Sequence, residues 1–316
     1  MTNGVLLGLT AALFWGVADY CLRGATHAAG TFRALYFMQV VGLLALLLGV
    51  EVWRPLSFAH ATPGLTLAAA ALSLIILMGA ALLYRSFAVG KLAVVSPIAA
   101  SFGAITTILA LLSGERPTVL QLVGLALLLV GVVLSGIAPT QPDDMAQAIA
   151  RQPGAERRWL GPGVAEALGA TVLFGGAYWA MRYVVGPLGG VQTAMIGKAT
   201  DLVALTVVVL AAWASRRFVG AVSLAQGVAT PEERALAPRS PLFWRWLIPG
   251  AILDTAANVA YNFGVTGALT SVVATLSSLF TAVTVVLAWI FLRERLTRVQ
   301  WSGVLFILAG IALVNL

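Results

Sequence analysis

The sequence predicts an all-α membrane protein whose ten transmembrane helices form two inverted five-helix repeats. Three observations predict it. Of 316 residues, 60% are hydrophobic and 10% charged, with a mean hydropathy of +0.96. A soluble domain carries about 25% charged residues, so this chain lacks the polar surface to cover itself in water. The apolar residues also gather into ten runs, each close to the ~20 residues a helix needs to cross the hydrocarbon core. Finally, the chain repeats itself. Gly114-Glu115-Arg116-Pro117-Thr118-Val119-Leu120-Gln121-Leu122-Val123-Gly124 recurs as Arg293-Glu294-Arg295-Leu296-Thr297-Arg298-Val299-Gln300-Trp301-Ser302-Gly303, an offset of 179 that persists from Gly131 to Gly310. Self-similarity at a fixed offset marks a repeated structural unit.

The runs lie at 4–23, 33–52, 64–86, 92–113, 119–138, 161–182, 189–213, 244–265, 269–292 and 299–315. The first lacks the basic flank of a signal peptide and has a copy in mid-chain, so it is read as a permanent span. An offset of 159 lays Trp15 on Phe174, Gly16 on Gly175, Ala18 on Ala177 and Arg23 on Arg182. The first repeat therefore covers 1–138, a polar linker 139–159, and the second repeat 160–316. Five spans is an odd number, so the second half enters from the opposite side, an inverted repeat. A second polar connection, 215–241, separates spans 7 and 8. Neither connection has the length of a catalytic domain.

The net charge of +7 and pI near 10.2 do not imply nucleic acid. The arginines sit in short loops between apolar runs, as membrane orientation requires. With loops 1–2, 3–4, 5–6, 7–8 and 9–10 on one side, that side holds fifteen Lys and Arg, and the other only Arg54, Arg116 and Arg182. The positive-inside rule then places both termini outside the cytoplasm of a multi-pass protein of the cell's inner membrane. Cys21, the single cysteine, lies in an apolar run as a packed thiol.

The stretch 97–131, with Ser96-Pro97, the Gly-Glu-Arg turn, Thr118, Gln121 and the Gly124/Gly131 pair, resembles the repeat of the drug/metabolite transporter superfamily, EamA-type. The stretch 282–310 and the Phe14-Trp15-Gly16 opening of span 1 resemble it too. The resemblance covers nearly the whole chain. It implies a transporter of small metabolites or amino acids, commonly an exporter. One departure is Thr275 or Leu276 where the first copy has Pro97, so a helix break at Pro97 in span 4 has no proline counterpart in span 9.

Other chemistries lack their residues. A Walker loop needs Gly, four residues, then Gly-Lys-Ser/Thr. Gly197-Lys198 is followed by Ala199, and Gly90-Lys91 by Leu92. His27 and His60 fall in different loops, there is no His-Glu-x-x-His, and no nucleophile stands beside a base. The expectation is no cofactor, no metal and no enzyme.

Polar residues inside spans are costly and usually face a cavity or a partner. Asp254, Asn258 and Tyr261 share one face of span 8, at i, i+4 and i+7; Ser73, Leu77 and Tyr84 occupy the comparable stripe of span 3. Asp254 either lines a cavity or bonds to a neighbouring helix. Lys198 and Asp201 share a face of span 7. They either neutralise each other, or Lys198 faces the cavity and meets a substrate carboxylate, with Asp201 or Asp254 as resting partner. Trp15, Asp19 and Arg23 recur on span 1 at i, i+4 and i+8, against Phe174, Tyr178 and Arg182 on span 6. Trp15 and Tyr178 are expected to stack on substrate. Asp19 is read either as a titrating group or as the partner of Arg23, whereas Arg23, Arg85 and Arg182 snorkel to headgroups. Glu115 and Glu294 are expected to pair with a neighbouring Arg or cap the next helix. The glycine faces of spans 5 and 10 serve as scaffold or as a homodimer surface.

The expected cavity lies near mid-membrane between spans 1, 3, 4, 6, 8 and 9, with Trp15, Asp19, Tyr84, Tyr178, Lys198, Asp254, Asn258 and Tyr261 as substrate-binding residues. The function expected is export of amino acids, aromatic or neutral, by alternating access. The alternatives are efflux of cationic drugs countered by Asp19 or Asp254, and an intramembrane enzyme or non-transporting membrane protein.

Overall fold

Ten spanning helices follow one another in the computed structural model, which describes residues 2–49, 58, 60–90, 95, 98–136, 163–214, 240–292 and 298–314. They are α1 (Thr2–Ala29), α2 (Thr31–Leu48), α3 (Pro63–Val89), α4 (Phe102–Leu112), α5 (Val119–Gly136), α6 (Val164–Leu188), α7 (Gly190–Ala214), α8 (Pro241–Gly267), the two segments α9a (Thr270–Ser277) and α9b (Phe280–Leu292) of span 9, and α10 (Arg298–Val314). Five described helices are by themselves long and apolar enough to cross a bilayer. The fold is the expected one, two inverted repeats of five. The linker 139–159, residues 215–239 of the second connection, Pro97 and residues 293–297 of the second Gly-Glu-Arg-like turn lie outside the described residues.

The halves interlock by swapping partners. The first span of each repeat runs along the third span of the other: α1 along α8, and α6 along α3. Span 4 crosses α9a, α5 lies along α10, and α2 meets α7. Each pairing maps onto itself or its twin when the halves are exchanged. The correspondence extends to single bonds. Thr106 of α4 donates to the Gly175 carbonyl of α6 at 2.9 Å, and Thr284 of α9b stands 3.4 Å from the Gly16 carbonyl of α1, its hydroxyl shared with the Phe280 carbonyl of its own helix at 2.9 Å. Gly16 and Gly175 are small for the same reason. A Cβ on Gly175 would press into Ile105, and one on Gly16 into Val283, so only glycine lets the backbones approach.

Two further glycines join the first spans to the second. Gly30 (φ 84, ψ 157) caps α2 and Gly189 (φ 92, ψ 152) occupies the same place before α7. That region of backbone space is closed to side chains with a Cβ, so each link turns in a single residue.

Both fourth spans are broken within their length. In span 9, the Leu279 N–H reaches back only three residues, to the Leu276 carbonyl at 3.2 Å, and Ser278 Oγ donates to the Thr275 carbonyl at 2.7 Å. In span 4, the Ser101 N–H does the same to Ile98 at 3.1 Å, and Thr171 of α6 donates its hydroxyl to that Ile98 carbonyl at 2.6 Å. Such tightened turns need side-chain donors, because lipid supplies none. Span 9 therefore breaks with no proline, and the departure of Thr275 or Leu276 from the Pro97 pattern costs the fold nothing here.

The small faces of α5 and α10 are spent on each other. A Cβ on Gly310 would strike the Gly124 carbonyl and Leu128. The outer faces of these helices expose Val123, Trp301 and Leu305. The repeated Thr and Gln also acquire a reason. The Thr118 N–H donates to Gln121 Oε1 at 3.1 Å and the Gln121 N–H to Thr118 Oγ1 at 3.2 Å, a reciprocal box that satisfies two orphan donors at the start of α5.

Candidate functional site

A cavity of about 110 Å³ lies between the repeats. On the measure by which one water needs about 10–15 Å³, it has room for several waters or a small solute. Polar walls come from Asp19, Gln39, Ser73, Thr193, Lys198, Asp201, Asp254, Asn258 and Asn262, and aromatic walls from Trp15, Tyr84, Phe102, Phe174, Tyr178 and Phe280.

Lys198 is the centre of its charge. It reaches from α7 past Gly42 of α2, where a Cβ would come within 3.1 Å of its Cε and crowd Thr255 Oγ1. Its Nζ donates to Asp254 Oδ2 of α8 at 2.8 Å, with the two side chains only 8% and 13% exposed. Asp201, one turn along the same helix, instead accepts from Ser73 Oγ of α3 at 2.7 Å. The Lys198–Asp201 pairing is thus replaced by two bonds between helices. Geometry decides this: both side chains point into the gap between α7 and the swapped spans, where better-placed partners wait.

Asn258 stays beside the pair. Its Nδ2 donates to the Asp254 carbonyl at 2.8 Å, and its Oδ1 accepts from Tyr178 OH at 3.4 Å. Asn262 donates to the Gly190 carbonyl at 3.0 Å, and Tyr84 OH to Met38 Sδ at 3.7 Å. Asp19 lines the cavity 6% exposed, with no hydrogen bond or ion pair among the described residues. It does not bind Arg23, whose Nε is buried without a partner. Among the described residues no three metal-ligating side chains gather in one place.

The aromatic wall is assembled by the two broken spans. Phe102 begins α4 just past one break, Phe280 begins α9b just past the other, and their rings stack at 6.3 Å with a 23° tilt. Trp15 packs on Tyr178 at 5.4 Å, and Tyr178 on Phe102 at 5.3 Å. These large surfaces leave one face of the cavity apolar and rigid.

Seven of the eight expected residues line this cavity: Trp15, Asp19, Tyr84, Tyr178, Lys198, Asp254 and Asn258. Tyr261 does not. It is fully buried behind the wall, 4.8 Å from the Tyr178 ring and 5.8 Å from Trp15, and its OH donates to the Tyr178 carbonyl at 3.3 Å. The lining stripe of α8 runs through Asp254, Asn258 and Asn262, and Tyr261 lies to one side of it. Spans 2 and 7 join the lining in addition to those expected. Gln39 is the principal residue missed, although an amide in the midst of an apolar run was itself a signal.

Glu115 reaches farther than its own neighbourhood. One carboxylate oxygen accepts from the Thr270 N–H at 2.9 Å and from Arg182 at 2.5 Å. The other accepts from the Ser271 N–H at 3.1 Å and Ser271 Oγ at 2.8 Å. It therefore caps α9a and not α5, whose start is already closed by the Thr118–Gln121 box. Arg182 pairs with Glu115, and Arg85 with Glu166 at 3.4 Å, so neither simply snorkels.

A family model described as the EamA-like transporter family matches residues 2–137 and 161–316, both repeats. The chain belongs to the EamA-like transporter family. Like other members, it is a multi-pass membrane protein built for transporting small molecules. An uncharacterized protein of Methanocaldococcus jannaschii is 26% identical over 140 residues, 44% of this chain and 99% of that protein. That relative is thus about one EamA repeat long. A crystal structure of a protein shares the fold with a TM-score of 0.69 at 14% identity, covering 99% of this chain and 96% of that one.

Proposed function

We propose that this EamA-like protein exports amino acids, aromatic or neutral, by alternating access through the cavity between its repeats. The observation that carries the reading is the Lys198–Asp254 pair set in an aromatic-walled cavity. A substrate carboxylate is able to take Lys198 from Asp254, while its side chain lies on Trp15 and Tyr178. Exchange of one carboxylate for another keeps the Lys198 ammonium paired, and the Asp254 carboxylate it leaves then needs a counter-charge, which the ammonium of an amino acid carries. Rocking of one repeat against the other would then expose the site to each side in turn. We read the protein as a transporter and not an enzyme, in the inner membrane, with both termini on the non-cytoplasmic side.

The test is counterflow in liposomes containing the purified protein. Uptake of labelled amino acids, lost in Lys198→Met, supports the proposal; normal flux in that variant sinks it. A second reading, efflux of cationic drugs, is favoured by one observation, the unpaired Asp19 carboxylate. Quaternary ammonium compounds in the same liposomes, with and without Asp19→Asn, distinguish the two.

A further inference from the structure

The amide of Gln39 has a role that the ion pair and the aromatic wall leave unexplained. Most of the polar side chains lining the cavity are accounted for. Lys198 holds Asp254, Ser73 holds Asp201, Asn258 and Asn262 donate to carbonyls, and Thr193 donates to Gly189 at 2.7 Å. Of the lining side chains, Gln39 alone has an oxygen that is both closed to solvent and without a hydrogen-bond partner among the described residues, and the Asp19 side chain beside it in the lining makes no hydrogen bond or ion pair to them. Gln39 is 2% exposed, and its oxygen is shut off from solvent. It stands one turn before Gly42 on α2, on the side that carries the Lys198 stem, and beside Met38, which receives Tyr84. Buried acceptors are rarely left without a donor, and an exception calls for a reason.

We infer that Gln39 is a specificity-determining residue, which with Asp19 selects solutes carrying a primary ammonium over those carrying a quaternary one. This rests on the amino-acid reading of the same cavity. A primary ammonium brings a positive charge and three N–H donors. The charge answers Asp19, and a donor answers Gln39. A quaternary ammonium brings the charge alone. It satisfies Asp19 electrostatically, but leaves the Gln39 oxygen desolvated and unbonded. A site built around a hydrogen bond rejects an analogue that lacks it far more strongly than a merely apolar pocket does.

The experiment compares L-tryptophan with its N,N,N-trimethyl betaine, binding to the purified full-length protein by titration calorimetry. The two share the carboxylate and the ring, so only the cationic end differs. The wild type is expected to prefer tryptophan by on the order of tenfold or more, the effect of one hydrogen bond to a charged group. Gln39→Met, of similar volume, and Gln39→Leu should both erase that preference, whereas Gln39→Glu should keep it. Removing an orphaned acceptor is not expected to lower the melting temperature, which identifies a folded variant. An unchanged preference in folded Gln39→Met or Gln39→Leu overturns the role of Gln39 and leaves the amino-acid reading standing. A wild type that prefers the betaine overturns it too. If the wild type binds neither compound, the amino-acid reading falls and this inference falls with it.

Discussion

Lys198 and Asp201 sit three residues apart on α7 and turn to different helices: Lys198 to Asp254 on α8 at 2.8 Å, Asp201 to Ser73 on α3 at 2.7 Å. One helix of the second repeat is thereby tied to the third span of each repeat. Removing one member of a buried pair leaves the other charge unanswered, at about 3–5 kcal/mol. Asp254→Asn should therefore lower the melting temperature markedly. The double variant Lys198→Met/Asp254→Leu should recover most of that loss and still fail to move substrate. Recovery of flux in the double variant would show that the pair is scaffold alone.

Ser73→Ala takes away the hydroxyl that Asp201 uses. The expected cost is about 1–3 kcal/mol of stability, with substrate affinity changed less than in Lys198→Met. Thermal unfolding and ligand titration on the same two preparations measure both. A larger affinity loss from Ser73→Ala than from Lys198→Met would reverse their assigned roles.

Glu115 bonds Thr270, Ser271 and Arg182, all in the other repeat. Glu115→Ala removes a charged cap and an ion pair together, for an expected loss of about 2–3 kcal/mol. Arg182→Ala should cost less, since Arg182 is 29% exposed and water already shares its charge. Melting temperatures of the two variants rank them directly.

Gly42→Ala places a methyl group against the Lys198 stem and Thr255 Oγ1. Overpacking of this kind costs about 1–3 kcal/mol, and here it should also displace the ammonium. Binding is expected to weaken more than stability does. An alanine variant with wild-type affinity would show that the Lys198 stem is free to move aside.

Orientation is open to a direct measurement. Alkaline phosphatase fused after Leu316 should be active, and a fluorescent protein fused there should stay dark, because both termini are proposed to lie outside the cytoplasm. A fluorescent fusion would invert the proposed orientation of the chain.

The repeat was legible because apolar run length and the doubled turn are properties of sequence alone. So was most of the cavity, since Asp254 and Asn258 at i and i+4 must share a face. What sequence did not show is which face meets which helix. Lys198 has one acid three residues away and another 56 residues on, and only the fold selects the distant one. Tyr261 lies off the cavity for a related reason: the lining stripe of α8 drifts, with Asn258 and Asn262 about 40° and 80° on from Asp254 and Tyr261 about 20° the other way, behind the Trp15–Tyr178 wall. The break in span 9 has no proline to announce it. It comes from serine and threonine hydroxyls, which look the same in an unbroken helix.

The exchange of partners between repeats bears on how the protein is made. Its first helix runs along α8, which leaves the ribosome long afterwards. Until then Asp19 and Gln39 lack the walls that later enclose them, and a nascent five-helix half has to hold them in the bilayer without those neighbours. The cavity accordingly closes only once α8 and α9b have joined the first half, and damage to the second half strands the polar groups of the first in lipid.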